Sequence, residues 1–238
     1  MDEFNSLGYL GKPTARRPLL GLTVLVVEDS RFASEALRLI CLKSGARIRR
    51  ADSLRSARRH LRVYRPSVAV IDIGLPDGSG LDLIRDLNQT DPRVSVLIAT
   101  SGDDTLARAC RSAGADHFLS KPLESLVAFQ TCILSHLPTE RVPSGLRALH
   151  DEKITPDPMA YLDDLAHAAE VLAQPEDDQM FSYVVPFLCG IALSAGDLAL
   201  KSAVDALRLS HEKGKALDQK QAQLTLMLQQ RLVSRQAM

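Results

Sequence analysis

The sequence has no tryptophan, and aromatic residues make up only 4% of it. Its cores must therefore be built from Leu, Val, Ile and Ala. Cysteine is scarce too. Cys41, Cys110, Cys132 and Cys189 are scattered with no pair at metal-ligand spacing, which excludes a disulfide framework or a zinc knuckle and leaves reduced, buried thiols. The six histidines form no cluster. Residues 1–19 lack the apolar centre of a signal peptide. The most apolar stretch, 180–200, holds Pro186, Gly190, Gly196 and Asp197 and is a poor membrane span. These absences lead to the expectation of a cytoplasmic protein with no membrane partner. Net charge is zero but unevenly placed: residues 1–138 hold 19 Lys and Arg against 15 Asp and Glu, and residues 139–238 hold 10 against 14. An acidic second half leads to the expectation of no DNA partner, because DNA affinity draws on phosphate neutralisation.

The 238 residues suffice for two small domains. In the first half, apolar runs at Leu22–Val27, Val68–Ile71, Val94–Ala99 and Ala115–Leu119, with a weaker basic one at Ala46–Arg50, alternate with helical patterns. Those patterns cover Ser30–Lys43, Ser53–Val63, Gly80–Asn88, Thr105–Ser112 and Leu123–Leu137. Continuous apolar strands between helices predict an α/β, doubly wound, five-stranded parallel sheet of flavodoxin-like kind. The strand order expected for that fold is 2-1-3-4-5, with the site at the strands' carboxyl ends. Pro138 and Pro143 close this half. Thereafter only helical patterns follow, at Pro158–Leu172, Gln179–Leu193, Asp197–Leu209 and Ala216–Val233, which predicts an all-α part of three or four helices. The expected organisation is an N-terminal extension (1–19), an α/β domain (20–138), a linker (139–155) and a helical domain (156–238).

The chemistry gathers at strand ends. Glu28 and Asp29 follow the first strand and Asp72 ends the third, so three carboxylates should converge on one sheet edge. Their mutual repulsion calls for a cation, and Mg²⁺ suits a few carboxylates plus phosphoryl oxygens. Thr100 ends the fourth strand, and Lys121-Pro122 follows the fifth. A hydroxyl and an ammonium opposite a metal-bound carboxylate can hold phosphoryl oxygens, with the carboxylate as nucleophile.

Five motifs in order carry a resemblance: Glu28-Asp29, Asp72-Ile-Gly-Leu-Pro76-Asp-Gly78-Ser-Gly80, Thr100-Ser101, and Phe118-Leu-Ser followed by Lys121-Pro122. The chain resembles two-component response-regulator receiver domains over residues 20–138. The resemblance implies that Asp72 is the phospho-acceptor, served by a sensor histidine kinase or phosphotransfer protein. It implies Mg²⁺ held by Glu28, Asp29, Asp72 and the Gly74 carbonyl. Thr100 and Lys121 would hold the phosphoryl group, Lys121-Pro122 would be a cis peptide, and Thr100 with Phe118 would form the switch pair. No enzymatic output is expected beyond self-phosphorylation and slow self-dephosphorylation. Glu28 stands where the commoner pattern has Asp. Glycines two positions beyond the acceptor and the switch threonine (Gly74 and Gly102) lead to the expectation of an open, water-accessible site.

The basic run from Arg47 to Arg65 reads as a solvated face, or as a dock for an acidic partner such as the chain's own helices. In the helical half, Leu209-Ser-His211-Glu-Lys213-Gly214 is one residue short of the His-x-x-Lys-Gly site of histidine phosphotransfer bundles. It supports the alternative of a phosphorelay intermediate acting through His211. Leu217, Leu224, Leu228 and Leu232 line one face of the last helix, either for packing within the bundle or as a homodimer seam. The main expectation is a helical protein-interaction output switched by the receiver.

Overall fold

The computed structural model describes residues 12–143, 152, 154–173, 178–213 and 218–236. The first half alternates strand and helix: β1 (Thr23–Val27), α1 (Arg31–Ser44), β2 (Arg47–Ala51), α2 (Leu54–Val63), β3 (Val68–Asp72), α3 (Gly80–Gln89), β4 (Val96–Ser101), α4 (Ala107–Ala113), β5 (His117–Ser120) and α5 (Leu126–Leu134). All four strand pairings are parallel, in the order β2-β1-β3-β4-β5. This is the flavodoxin-like arrangement that the pattern of apolar runs predicts.

Alternation along each strand divides the core between the two faces. Val24, Val26, Val68, Val70, Val96 and Ile98 face α1 and α5, where Leu37, Ile40, Phe129 and Ile133 cover them. Leu25, Val27, Ala69, Ile71, Leu97 and Ala99 face the other way, onto Ala57, Leu83, Ile84 and Cys110 of α2–α4. Serines start four of the helices. The hydroxyls of Ser30, Ser53, Ser79 and Ser125 each accept a backbone N–H of the first turn, which satisfies a donor the helix cannot. Gly45 ends α1 at φ 84, the left-handed conformation that glycine adopts without penalty.

Two features escape the pattern. A two-stranded hairpin, Gly74–Leu75 with Gly78–Ser79, follows β3. A second cis peptide, Asp91-Pro92, accompanies the expected one at Lys121-Pro122.

The second half consists of α6 (Pro158–Leu172), α7 (Asp178–Ala195), α8 (Leu198–Glu212) and α9 (Asp218–Gln236). Asp157 caps α6 with Pro158 in its first turn, a position that needs no N–H. α7 runs through Pro186 and Gly190 without a break. The four helices share one core that includes Leu165, Val184, Leu188, Leu207, Leu224 and Leu228. The leucine stripe of α9 is thus largely used inside the bundle, and Leu217 lies outside the described residues. Among those described, no helix is long and apolar enough to cross a membrane.

Most of the expected linker, 144–151 and 153, also lies outside them. Its described end is anchored: Ile154 is 4% exposed within the α1–α5 core, and Glu152 pairs with Lys43 at 2.6 Å. Arginines of the 47–65 run pair within the first half, Arg50 with Glu35 (3.8 Å) and Arg58 with Asp86 (3.1 Å). It is Arg31 that meets the helical half, at Asp163 (2.6 Å).

Candidate functional site at the carboxyl edge of the sheet

Parallel pairing brings every strand's carboxyl end to one edge. Asp72 stands in register with Thr100 on the neighbouring strand. Glu28 and Asp29 follow β1 directly, and Lys121 follows β5 through one residue pair beyond the Thr100–Leu119 register. Oxygens of Glu28, Asp29 and Asp72 all lie within 4.8 Å of one another. Lys121 Nζ reaches into the group. It donates to Glu28 Oε1 at 3.0 Å, lies 2.8 Å from Oε2, and stands 3.1 Å from Asp72 Oδ1. The sheet thus unites Asp72, Thr100, Lys121, Glu28 and Asp29, as their positions at the strand ends predict.

Gly74 follows in the hairpin, and a Cβ placed on it would lie 3.8 Å from Asp72 Oδ2. Gly80 is required by close approach: a Cβ there would fall 2.0 Å from the Asp72 carbonyl oxygen. Phe118 is half-buried on β5 beside Ala99, packed against the α2–α4 side of the core.

Burial sets the electrostatics. Glu28, Asp72, Thr100 and Lys121 are buried and Asp29 is half-buried. Desolvation pushes Glu28 up to about 8 against the pull of Lys121, with the charges of Asp72 and Asp29 adding to the rise. Desolvation also raises Asp29 to about 7, helped by the charge of Asp72. Burial alone would lower the pKa of Lys121, but the carboxylates of Asp72 and Glu28 more than reverse this and hold it above its usual range. One ammonium among three carboxylates leaves the cluster short of positive charge. Thr100 Oγ1 is buried with no hydrogen-bond partner. An unspent hydroxyl beside converging carboxylates suits a site that completes itself with a cation and an oxyanion. These residues fit Mg²⁺.

What the sequence does not foreshadow is the company this edge keeps. The Tyr183 hydroxyl of α7 donates to Asp29 Oδ2 at 2.7 Å and lies 3.1 Å from His167 Nε2. Asp164 of α6 is 2% exposed and accepts from Ser30 Oγ (2.7 Å), the Arg31 amide (2.8 Å) and the Phe32 amide (3.0 Å), capping α1 from another part of the chain.

The expectation of an open site is corrected here. A Cβ on Gly74 would stand 3.6 Å from Pro186 Cβ, and one on Gly102 only 3.1 Å from Leu193 Cδ1. The missing side chains make room for α7 rather than for water. A sequence signal was present in the spacing of Tyr183, Pro186, Gly190 and Leu193, which puts a proline and a glycine between a tyrosine and a leucine on one helical face.

His211 lies on α8, its ring stacked on Phe181 with centroids 4.0 Å apart. Gly214 of its motif lies outside the described residues. Neither the geometry nor the comparisons below support phosphotransfer through this histidine.

Residues 24–129 match the family model "Response regulator receiver domain". The chain is 29% identical over 157 residues to the KDP operon transcriptional regulatory protein KdpE of Escherichia coli, an alignment covering 65% of each chain. It is 34% identical over 102 residues to the virulence transcriptional regulatory protein PhoP of Salmonella typhimurium, covering 42% of this chain and 46% of PhoP. The matched region therefore spans about half to two-thirds of these relatives. Among solved structures, the receiver domain of a signal transduction histidine kinase from Syntrophus aciditrophicus is similar over 54% of this chain and 99% of its own, at 26% identity and a TM-score of 0.46. The expectation that DNA is not a partner does not stand, because KdpE and PhoP are both transcriptional regulatory proteins. Net charge summed over a hundred residues does not report what a local surface binds. With its fold, its converging acids and this match in agreement, residues 24–129 form a response regulator receiver domain, and α6–α9 lie outside that family match.

Proposed function

We propose that Asp72 accepts a phosphoryl group from a phosphohistidine of a sensor kinase or phosphotransfer protein. The observation that carries this reading is the convergence on Asp72 of two further acids, the Lys121 ammonium and the unpartnered Thr100 hydroxyl. An Asp72 carboxylate oxygen attacks phosphorus, the P–N bond to the donor imidazole breaks, and an acyl phosphate forms. Thr100 donates its free hydroxyl hydrogen to one phosphoryl oxygen, and Lys121 neutralises another. Glu28, Asp29, Asp72 and the Gly74 carbonyl would hold Mg²⁺, which when bound supplies the positive charge that three carboxylates and a phosphoryl group require. Drawing the Thr100 hydroxyl inward vacates space that the half-buried Phe118 ring can take. That movement gives the receiver a second state for an output to sense.

The test is to incubate the full chain with acetyl phosphate and Mg²⁺, with and without EDTA, alongside Asp72→Asn. The expected result is a single phosphoryl group in the intact mass, absent with EDTA and absent in the variant. Phosphate on Asp72→Asn, or none on the wild-type chain, would refute the assignment.

A further inference from the structure

We infer that helix α7 is a lid over the phospho-acceptor, and that its docking and the phosphorylation of Asp72 exclude one another. This rests on the reading of Asp72 as the acceptor. In-line transfer needs the donor phosphorus roughly 3–3.5 Å from a carboxylate oxygen. A phosphohistidine carried on a protein must bring its helix and ring to the mouth of the site. That mouth, where the strand ends open, is where α7 lies. Pro186 stands over Gly74, Gly190 over Lys121, and Leu193 over Gly102. Asp72 is left 6% exposed.

The fit is two-sided. Tyr183, Pro186, Gly190 and Leu193 are spaced three, four and three residues apart, which is one helical face. The receiver presents glycine at the two positions where a side chain would press on that face. α7 returns the arrangement at Gly190, where even a Cβ would come within 3.6 Å of Lys121 Nζ. Backbone thus meets the charged centre with no side chain between.

The lid is also fastened to the site's own groups. Tyr183 occupies Asp29 Oδ2, and Asp164 holds Ser30 and the first two amides of α1. A cleft of about 530 Å³ bounded by Asp29, Asp52, Asp163 and Tyr183 still leads to Asp29 from the side. A hydrated cation could follow that route, whereas directly above the acceptor Pro186, Gly190 and Leu193 cover Gly74, Lys121 and Gly102. Phosphorylation adds a dianionic group beneath Gly190 and Pro186, in the space the docked face fills. Coupling of this kind is reciprocal: whatever docking costs phosphorylation, phosphorylation costs docking.

A disulfide can lock the lid. The Cβ positions of residues 74 and 186 lie 3.6 Å apart, within the range a disulfide bridges. The experiment uses the full chain carrying Gly74→Cys and Pro186→Cys in a Cys189→Ser background. Phosphate uptake from acetyl phosphate with Mg²⁺ is followed by intact mass, oxidised and reduced. The oxidised form should take little or no phosphate over the time in which the reduced form is fully phosphorylated. The wild-type chain should show no redox difference. Equal rates, or faster uptake when locked, would overturn the lid. If the wild-type chain took no phosphate, the acceptor assignment would fail instead, and the two failures are told apart by that control. Should Gly74→Cys itself silence the site, amide exchange on the wild-type chain decides. Protection across residues 183–193 should drop on phosphorylation, and unchanged protection would overturn the proposal.

Discussion

Replacing Lys121 by Met deletes one charge and keeps an unbranched side chain of similar length. The structure sets the consequence. Lys121 Nζ sits 2.8 Å from Glu28 and 3.1 Å from Asp72, and its side chain is 5% exposed. Removing one partner of a buried ion pair costs roughly 3–5 kcal/mol, because the other charge stays buried without compensation. The loss must depend on pH. In the wild-type chain Glu28 titrates near 8 and Asp29 near 7, both raised by burial. The folded state therefore keeps protons that the unfolded chain releases above the ordinary carboxylate range. Their contribution to stability is complete below that range and falls as pH rises from about 4 through 8. Without the Lys121 ammonium the folded carboxyls hold protons to still higher pH. Wherever the folded variant holds one proton more than the folded wild type, the deficit shrinks by roughly 1.4 kcal/mol per unit of falling pH. Urea unfolding at pH 8 and pH 5.5 checks this, provided the slope against urea is unchanged. Because wild-type Glu28 and Asp29 themselves hold their protons below about pH 7, the deficit should shrink by at most roughly 2 kcal/mol between pH 8 and pH 5.5. A loss of equal size at both would mean that the cost is lost packing rather than uncompensated charge, and the electrostatic account of the site would be wrong.

Thr100→Val removes a buried hydroxyl that has no partner, so the unphosphorylated chain should gain about 1 kcal/mol in urea unfolding while phosphate uptake from acetyl phosphate slows. A loss of stability on that substitution would show that the hydroxyl already has a structural bond. Asp164→Ala leaves Ser30 and the amides of Arg31 and Phe32 without their acceptor. Its expected cost is about 2–4 kcal/mol, with faster amide exchange in the first turn of α1. A cost below about 1 kcal/mol would mean that water replaces the carboxylate and that α6 contributes little to holding α1.

The residues of the candidate site were legible because each is tied to a strand end. A parallel sheet converts five positions far apart in sequence into one edge, so a run of valines followed by an acid already states where that acid will be. Helix bounds were legible where apolar spacing and caps agree, as at Pro158–Leu172, which the structure reproduces. The Gly74–Leu75 and Gly78–Ser79 hairpin was not, since two-residue strands have no period to detect.

The docking of α7 was hidden for a different reason. Its receiver contacts are largely made by what is absent: Gly74, Gly102 and Gly190 contribute no side chain, and no apolar period records them. A glycine beside an acceptor reads as open when the chain is taken one position at a time, and as a seat once a helix some 85–110 residues away in sequence is placed on it. Asp164 hides likewise. An acid on an amphipathic helix reads as solvated, yet this one is buried because its hydrogen-bond donors belong to α1. The chemistry of this site can thus be read from strand ends in one half of the chain. Access to it depends on a contact between the halves that no single segment encodes.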